Sequence, residues 1–237
     1  MRGFRPQLWP TLFSVPMLLL LIGLGVWQIQ RLHWKEGLIA ARQQAGSAMP
    51  VPAPKTAAAA RRLQFFPVAV TGHFLNDKEI LVHAISRQGA DGYHVYTPLV
   101  TDDGRTIIVD RGFVPVARAD PAKRAAGQLA GTVQVIGLVR LPVTMKPGWF
   151  LPDNNPAAGL WFWPDLKTMA AHDHLQHVAP FTIDADAMPN PGGWPRGGVT
   201  RLKLRNHHLQ YAITWFSLAV ALIVIYVLYH RRTPAAR

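Results

Sequence analysis

The chain has 237 residues, 49% of them apolar, and carries 25 Lys and Arg against 13 Asp and Glu, a formal net charge of +12. It contains no cysteine, which excludes disulfides, thiol redox chemistry and thiolate metal sites, including the thiolates expected of a dinuclear copper carrier. Many of the arginines flank two apolar runs, where they meet lipid headgroups, and no Lys/Arg block or known motif speaks for a nucleic-acid partner.

Residues 1–9, with Arg2 and Arg5, form a short basic tail. Residues 10–30 contain the uncharged run TLFSVPMLLLLIGLGVWQ and form a first membrane span, since roughly 20 helical residues cross a hydrocarbon core about 30 Å thick. A cleaved signal peptide begins in the same way, but the sequence that follows, VWQIQR, is bulky and polar and offers no small-x-small site, so the helix is expected to stay as an anchor. Residues 31–60 then read as a polar helical extension followed by a linker, in which Pro50, Pro52 and Pro54 alternate ahead of four alanines.

A β-rich domain is expected over residues 61–205. Strands are expected at 66–72 (FPVAVTG), 79–83, 92–100 and 105–110, the last two joined by a hairpin turn at Asp103-Gly104. The clearest strand is 132–140 (TVQVIGLVR), and short helices are expected at 121–129 and 166–172. Short strands with turn signals indicate a small antiparallel sheet or barrel with some helix, an α+β domain. Residues 188–198 (MPNPGGWPRGG) form a Pro/Gly loop leading back to the membrane.

Residues 206–229 contain a second uncharged run, apolar on all sides, and form the second span; 230–237 is another basic tail, with Arg231, Arg232 and Arg237. The inner flanks are basic too, through Arg31, Lys35, Arg201, Lys203 and Arg205. Because the positive-inside rule acts on short segments, both tails are expected in the cytoplasm and the domain outside it.

The sequence lacks G-x-S-x-G, H-E-x-x-H, a phosphate-binding glycine loop and a dinucleotide fingerprint, which argues against an enzyme. His172, His174 and His177 are spaced like a metal cluster, yet a polar loop with three histidines is more often simply solvated. On the second span, His208, Tyr211, Trp215 and Leu222 fall near one helical face below His207. Polar residues there either point into a helix interface or toward a ligand, or anchor the helix at the headgroups. At the exit of the first span, Trp27 and Arg31 share a face one turn above Gly23. That arginine either meets an acidic cofactor group or snorkels to phosphate. The pattern permits haem held by a histidine and paired with arginine, without requiring it.

Five blocks in order resemble the surfeit locus protein family of cytochrome c oxidase assembly factors. They are LGVWQIQR (24–31), VTGHF (70–74), GYHVYTPL (92–99) with IVDRGFVP (108–115), GLVR (137–140) with Pro142, FLPDNNP (150–156) and Trp161, and NHHLQYAITW (206–215). The resemblance implies a non-enzymatic chaperone of the respiratory chain in the cell inner membrane, with a periplasmic domain. Its implied cofactor is haem a, received from haem a synthase and passed to the catalytic subunit of cytochrome c oxidase. The family's second-span histidine, in an Asn-Asn-His-Leu pattern, maps to His208, and would be the haem-iron ligand. His207 stands where Asn is usual and Arg205 where Pro is common, which leaves open whether His207 shares the role. Trp27 and Arg31 carry over as motif residues. Gly72, Tyr93, Arg111 and Gly112 carry over as fold determinants, Gly72 for a turn and Arg111 as an ion-pair partner of Asp110. The alternatives are a cofactor-free scaffold for an oxidase intermediate and a copper-delivery factor using residues 172–177.

Overall fold

The computed structural model describes residues 6–200 and 206–232. Arg2, Arg5, Arg201, Lys203, Arg205 and Arg237, on which the expected orientation partly rests, lie outside these residues. The chain forms two compact units, one from the described parts of 1–41 and 203–237, the other from 42–202.

The first unit contains helix α1 (Leu8–Gly46) and a second long helix, His208–Arg232; both are long and apolar enough to cross a membrane. At 1.5 Å per residue, α1 extends well beyond a bilayer core, so its polar part from Arg31 onward continues as helix outside it. Only one stripe of α1 is buried, Leu21, Gly25 and Gln28, while Leu12, Phe13, Leu19, Leu20 and Val26 face outward. Apolar side chains left this exposed suit a lipid environment.

In the second unit, β1 (Val51–Pro52), α2 (Ala57–Arg62), β2 (Pro67–Phe74), β3 (Ile80–Ile85), β4 (Asp91–Thr101) and β5 (Thr106–Pro115) come first. They are followed by β6 (Thr132–Arg140), α3 (Leu166–His172) and β7 (Val178–Ala185); His208–Arg232, in the other unit, is α4. The strand order is β1-β2-β6-β7-β5-β4-β3, and β2 also pairs with β4, so five strands close on themselves as a small barrel. Closure occurs where Gly72, His73 and Phe74 meet Thr101, Val100 and Leu99. The first half of the long β4 pairs instead with β3.

Alternating positions of these strands fill the barrel: Val68, Val70, Leu99, Ile107, Val109, Val135, Val139, Phe181 and Ile183 are all buried. The continuous apolar run in β5 is buried on both faces. Its outer face contributes Ile108 to a second cluster with Ile80, Val82, Tyr96, Trp161, Leu166 and Met169, which α3 helps to cover.

The sequence expectations need four corrections here. The Pro/Ala-rich segment is not simply a linker: Val51–Pro52 pairs in parallel with Val68 and Ala69, and Ala60 of α2 lies in the barrel core. The alanines form a helix because Thr56 caps it by accepting from the Ala59 N–H. Strand β7 carries no clean alternation signal, since Pro180 sits where its register to β5 shifts, at a bulge. Gly72 lies within β2 rather than in a turn; a Cβ there would come 2.3 Å from the Val100 carbonyl oxygen, so the requirement is close strand approach at the closure. Finally, Asp110 and Arg111 do not pair with each other, because neighbouring strand residues point to opposite faces. Arg111 caps the barrel interior over the Phe74 ring, 4.5 Å from its centroid, and donates to the Gly127 carbonyl and to Asn76 Oδ1. Burial brings its guanidinium down to about 10.

Candidate functional site

The polar feature of the helix unit is a contact across its seam. His208 Nδ1 lies 2.7 Å from Gln28 Oε1, and Gln28 is buried. An amide oxygen only accepts, so the imidazole donates through Nδ1, and Nε2 keeps its lone pair. Asn206 accepts from the His208 N–H at 3.3 Å and so satisfies one free donor at the start of α4.

Below this pair the helices pack through small residues. Ala212 and Ala219 are buried on α4, and Gly25 on α1 faces Phe216, whose ring carbons would lie 2.7 Å from an added Cβ. Trp215 sits two turns below His208 on the same face, with its indole Nε1 buried and without a hydrogen-bond partner among the described residues. At the other end of the seam Thr11 and Tyr226 hydroxyls meet at 2.6 Å. Near them lies an apolar notch of about 220 Å³ between Ser14, Leu18, Leu222 and Tyr226. It is about 20 Å along the helix from His208, too far to belong to the same site.

The expected site residues therefore separate. His208 and Trp215 lie on the seam. His207 is exposed, and Tyr211 is 55% exposed. Trp27 is 51% exposed on the outer side of α1, and the Arg31 guanidinium stacks 4.2 Å from the centroid of Trp34, outside the seam. Gly23 likewise has nothing within 4 Å of where a Cβ would stand. Gln28 is the partner that the motif contained and the residue-by-residue reading passed over. Its signal was present: it continues the Leu21, Gly25 stripe at helical spacing, and a polar residue in such a stripe calls for a partner.

A second polar cluster lies on the outer wall of the barrel, where β5 and β7 set Asp110 beside Asp184 in register. His94 Nδ1 is 2.7 Å from Asp110 Oδ2, Arg140 Nε is 3.3 Å from Asp184 Oδ2, and Thr200 donates to Asp184 Oδ2 at 2.8 Å. Burial, then the neighbouring Asp110, push the Asp184 carboxyl up to about 7. Burial pulls the His94 imidazole down, but its hydrogen bond to Asp110 and the nearby carboxylates outweigh this and raise it above its ordinary value. These groups border a cavity of about 340 Å³ that Pro147, Trp163 and Thr200 also line.

The histidines of 172–177 do not converge on a common point. His172 bonds Asp173 at 2.8 Å and lies edge-on to Trp161, while His174 and His177 occupy left-handed turn positions. Among the described residues no group of three or more His, Asp or Glu is arranged to hold a metal ion.

A small closed barrel carried between two membrane-spanning helices, whose seam holds a histidine–glutamine pair, defines a two-span membrane protein with an extramembrane β domain. Comparison with known proteins identifies the family. The SURF1 family model matches residues 15–220, and the chain belongs to that family. It is 41% identical over 234 residues to the SURF1-like protein of Monosiga brevicollis, covering 94% of this chain and 87% of that protein. It is 40% identical over 228 residues to Surfeit locus protein 1 of Rattus norvegicus, covering 90% and 73%, and 40% identical over 215 residues to that of Homo sapiens, covering 84% and 70%. The resemblance read from the five motif blocks is borne out.

Proposed function

We propose that the protein is a non-enzymatic assembly factor for a haem-copper terminal oxidase, with haem a as cargo held at His208. The observation that carries this reading is the His208–Gln28 hydrogen bond: an imidazole fixed through Nδ1 presents Nε2 as a metal ligand, and such outer partners commonly set the orientation of ligating histidines. The unpartnered Trp215 indole N–H on the same face adds a hydrogen-bond donor suited to a polar group of the cargo. Membership of the SURF1 family supports the oxidase context. Ligation by one displaceable imidazole suits a carrier, because a recipient's own ligand can replace it.

In this reading the tails lie in the cytoplasm and the barrel on the periplasmic face of the inner membrane. The partners are haem a synthase as donor and the oxidase catalytic subunit as recipient. A second reading, a cofactor-free scaffold for an oxidase intermediate, draws on the tight Gly25–Phe216 packing, which leaves no room for a macrocycle at that level of the seam. The readings separate on the visible spectrum of the detergent-solubilised protein, prepared with and without coexpressed haem a synthase. A haem band that depends on the synthase supports the carrier. Colourless protein whose deletion still abolishes oxidase activity supports the scaffold.

A further inference from the structure

The loop after β6 carries the most exposed aromatic pair in the described chain. Gly148 accepts from the Leu151 N–H at 3.2 Å, closing a turn whose tip is Trp149 and Phe150. Their rings stack at 5.7 Å, yet they are 89% and 96% exposed, and Met145 beside them is 78% exposed. Two stacked aromatics gain far more from leaving water than they gain from each other. The only charges between Met145 and Asp153, Lys146 and Asp153 themselves, neutralise one another at 2.7 Å, so the tip has no net charge to keep it in water.

The position of this loop in the domain indicates what covers it. Pro147, two residues before the tip, borders the same cavity as Val199 and Thr200. Thr200 is eight residues before His208, where the second membrane helix starts, a span of at most about 29 Å even when fully extended. The tip therefore follows directly on a residue that shares a cavity with the segment from which the chain returns to the membrane. Trp is enriched at the headgroup region, where its amphipathic ring meets a wet boundary, and Phe supplies apolar surface to segments that lie in that layer.

We infer that Trp149 and Phe150, with Met145, form a third membrane contact that dips into the headgroup layer and fixes the tilt of the barrel against the bilayer. An inserted tip fixes one further point of the barrel at the bilayer surface. Because the tip is neutral, zwitterionic lipid is sufficient for the contact.

The chain has no cysteine, so a single introduced one is labelled uniquely. The test uses full-length Trp149→Cys carrying a nitroxide, reconstituted in phosphatidylcholine vesicles, with spin relaxation by oxygen compared with relaxation by a water-soluble nickel chelate. Asp102→Cys, in the exposed β4–β5 turn at the opposite end of the strand from His94, is the control. The expected result is a label at 149 that favours oxygen in vesicles, with the label at 102 favouring nickel throughout. A label at 149 that is nickel-accessible in vesicles overturns the inference. So does one shielded from both reagents, which marks a protein contact instead. Trp149 and Phe150 touch little else in the fold, so the readout is independent of folding and of any haem content.

Discussion

His208 on α4 and Gln28 on α1, 180 residues apart in sequence, meet through a 2.7 Å hydrogen bond that joins the two membrane helices. The bond does two things at once: it satisfies a polar pair at the helix seam and leaves the outer imidazole nitrogen free as an acceptor. Gln28→Leu removes the acceptor. The expected outcome is a fold that survives, since an interhelical hydrogen bond in a membrane is worth about 0.6 kcal/mol and at most about 2. Haem retention is expected to fall by roughly tenfold or more, as for other outer partners of ligating histidines. Gln28→Glu keeps an acceptor and is expected to retain haem; absorbance per protein in the two variants checks this.

Gly72→Ala places a methyl 2.3 Å from the Val100 carbonyl at the barrel closure. Neither backbone can give way without breaking the β2–β4 pairing, so a loss of about 3 kcal/mol or more is expected. Thermal unfolding followed by near-ultraviolet circular dichroism of the full chain measures it, with Gly23→Ala, at an open helix position, as the neutral comparison.

Arg124 and Glu79 form a buried ion pair, to which Gln128 also donates at 3.1 Å, and Arg124 donates further to the Arg118 and Ala119 carbonyls. Arg124→Met leaves Glu79 buried without its counter-charge, an expected cost of about 3–5 kcal/mol. Replacing both members, Arg124→Met with Glu79→Leu, is expected to recover much of that loss. A double-mutant cycle in denaturant reads the difference.

Stability should also depend on pH through the cluster on the barrel wall. The Asp184 carboxyl stands at about 7 in the fold, above its ordinary 3.8, so the folded domain holds its proton more tightly than the unfolded chain. The contribution is complete below about 4 and is lost as pH rises through about 7. His94, also raised, acts in the same direction over the upper part of that range. The melting temperature is therefore expected to fall between pH 5 and 8. Asp184→Asn, which stays neutral throughout, is expected to flatten that fall; an unchanged slope would show that the cluster is not its source.

Much of the architecture was legible because it is local. Apolar runs long enough to span a bilayer, the alternation in TVQVIGLVR and the Asp103-Gly104 turn each act within a few residues. What was hidden depends on distant partners or on exceptions to a pattern. Barrel closure joins 72–74 to 99–101, a pairing no local pattern encodes. Pro180 disguises β7, since a proline in a strand reads as a break until the bulge that accommodates it is seen. Ala60 looks like linker until the core that buries it exists.

The site was legible only in part, for the same reason. His208 announced itself as a polar residue at a membrane boundary, but its partner depended on the rotation of α1 about its own axis. Trp27 and Arg31 drew attention by their chemistry, and the stripe Leu21, Gly25, Gln28 turns them outward. One step along a helix is about 100°, enough to exchange a seam residue for a lipid-facing one.

The most direct measurement is the visible spectrum of protein coexpressed with haem a synthase and purified as wild type, His208→Ala and His207→Ala. If His208 holds the cargo, the wild type and His207→Ala carry the haem band and His208→Ala loses it. A band of equal intensity in His208→Ala, or its loss only in His207→Ala, would contradict the assignment of the ligand to the α1–α4 seam.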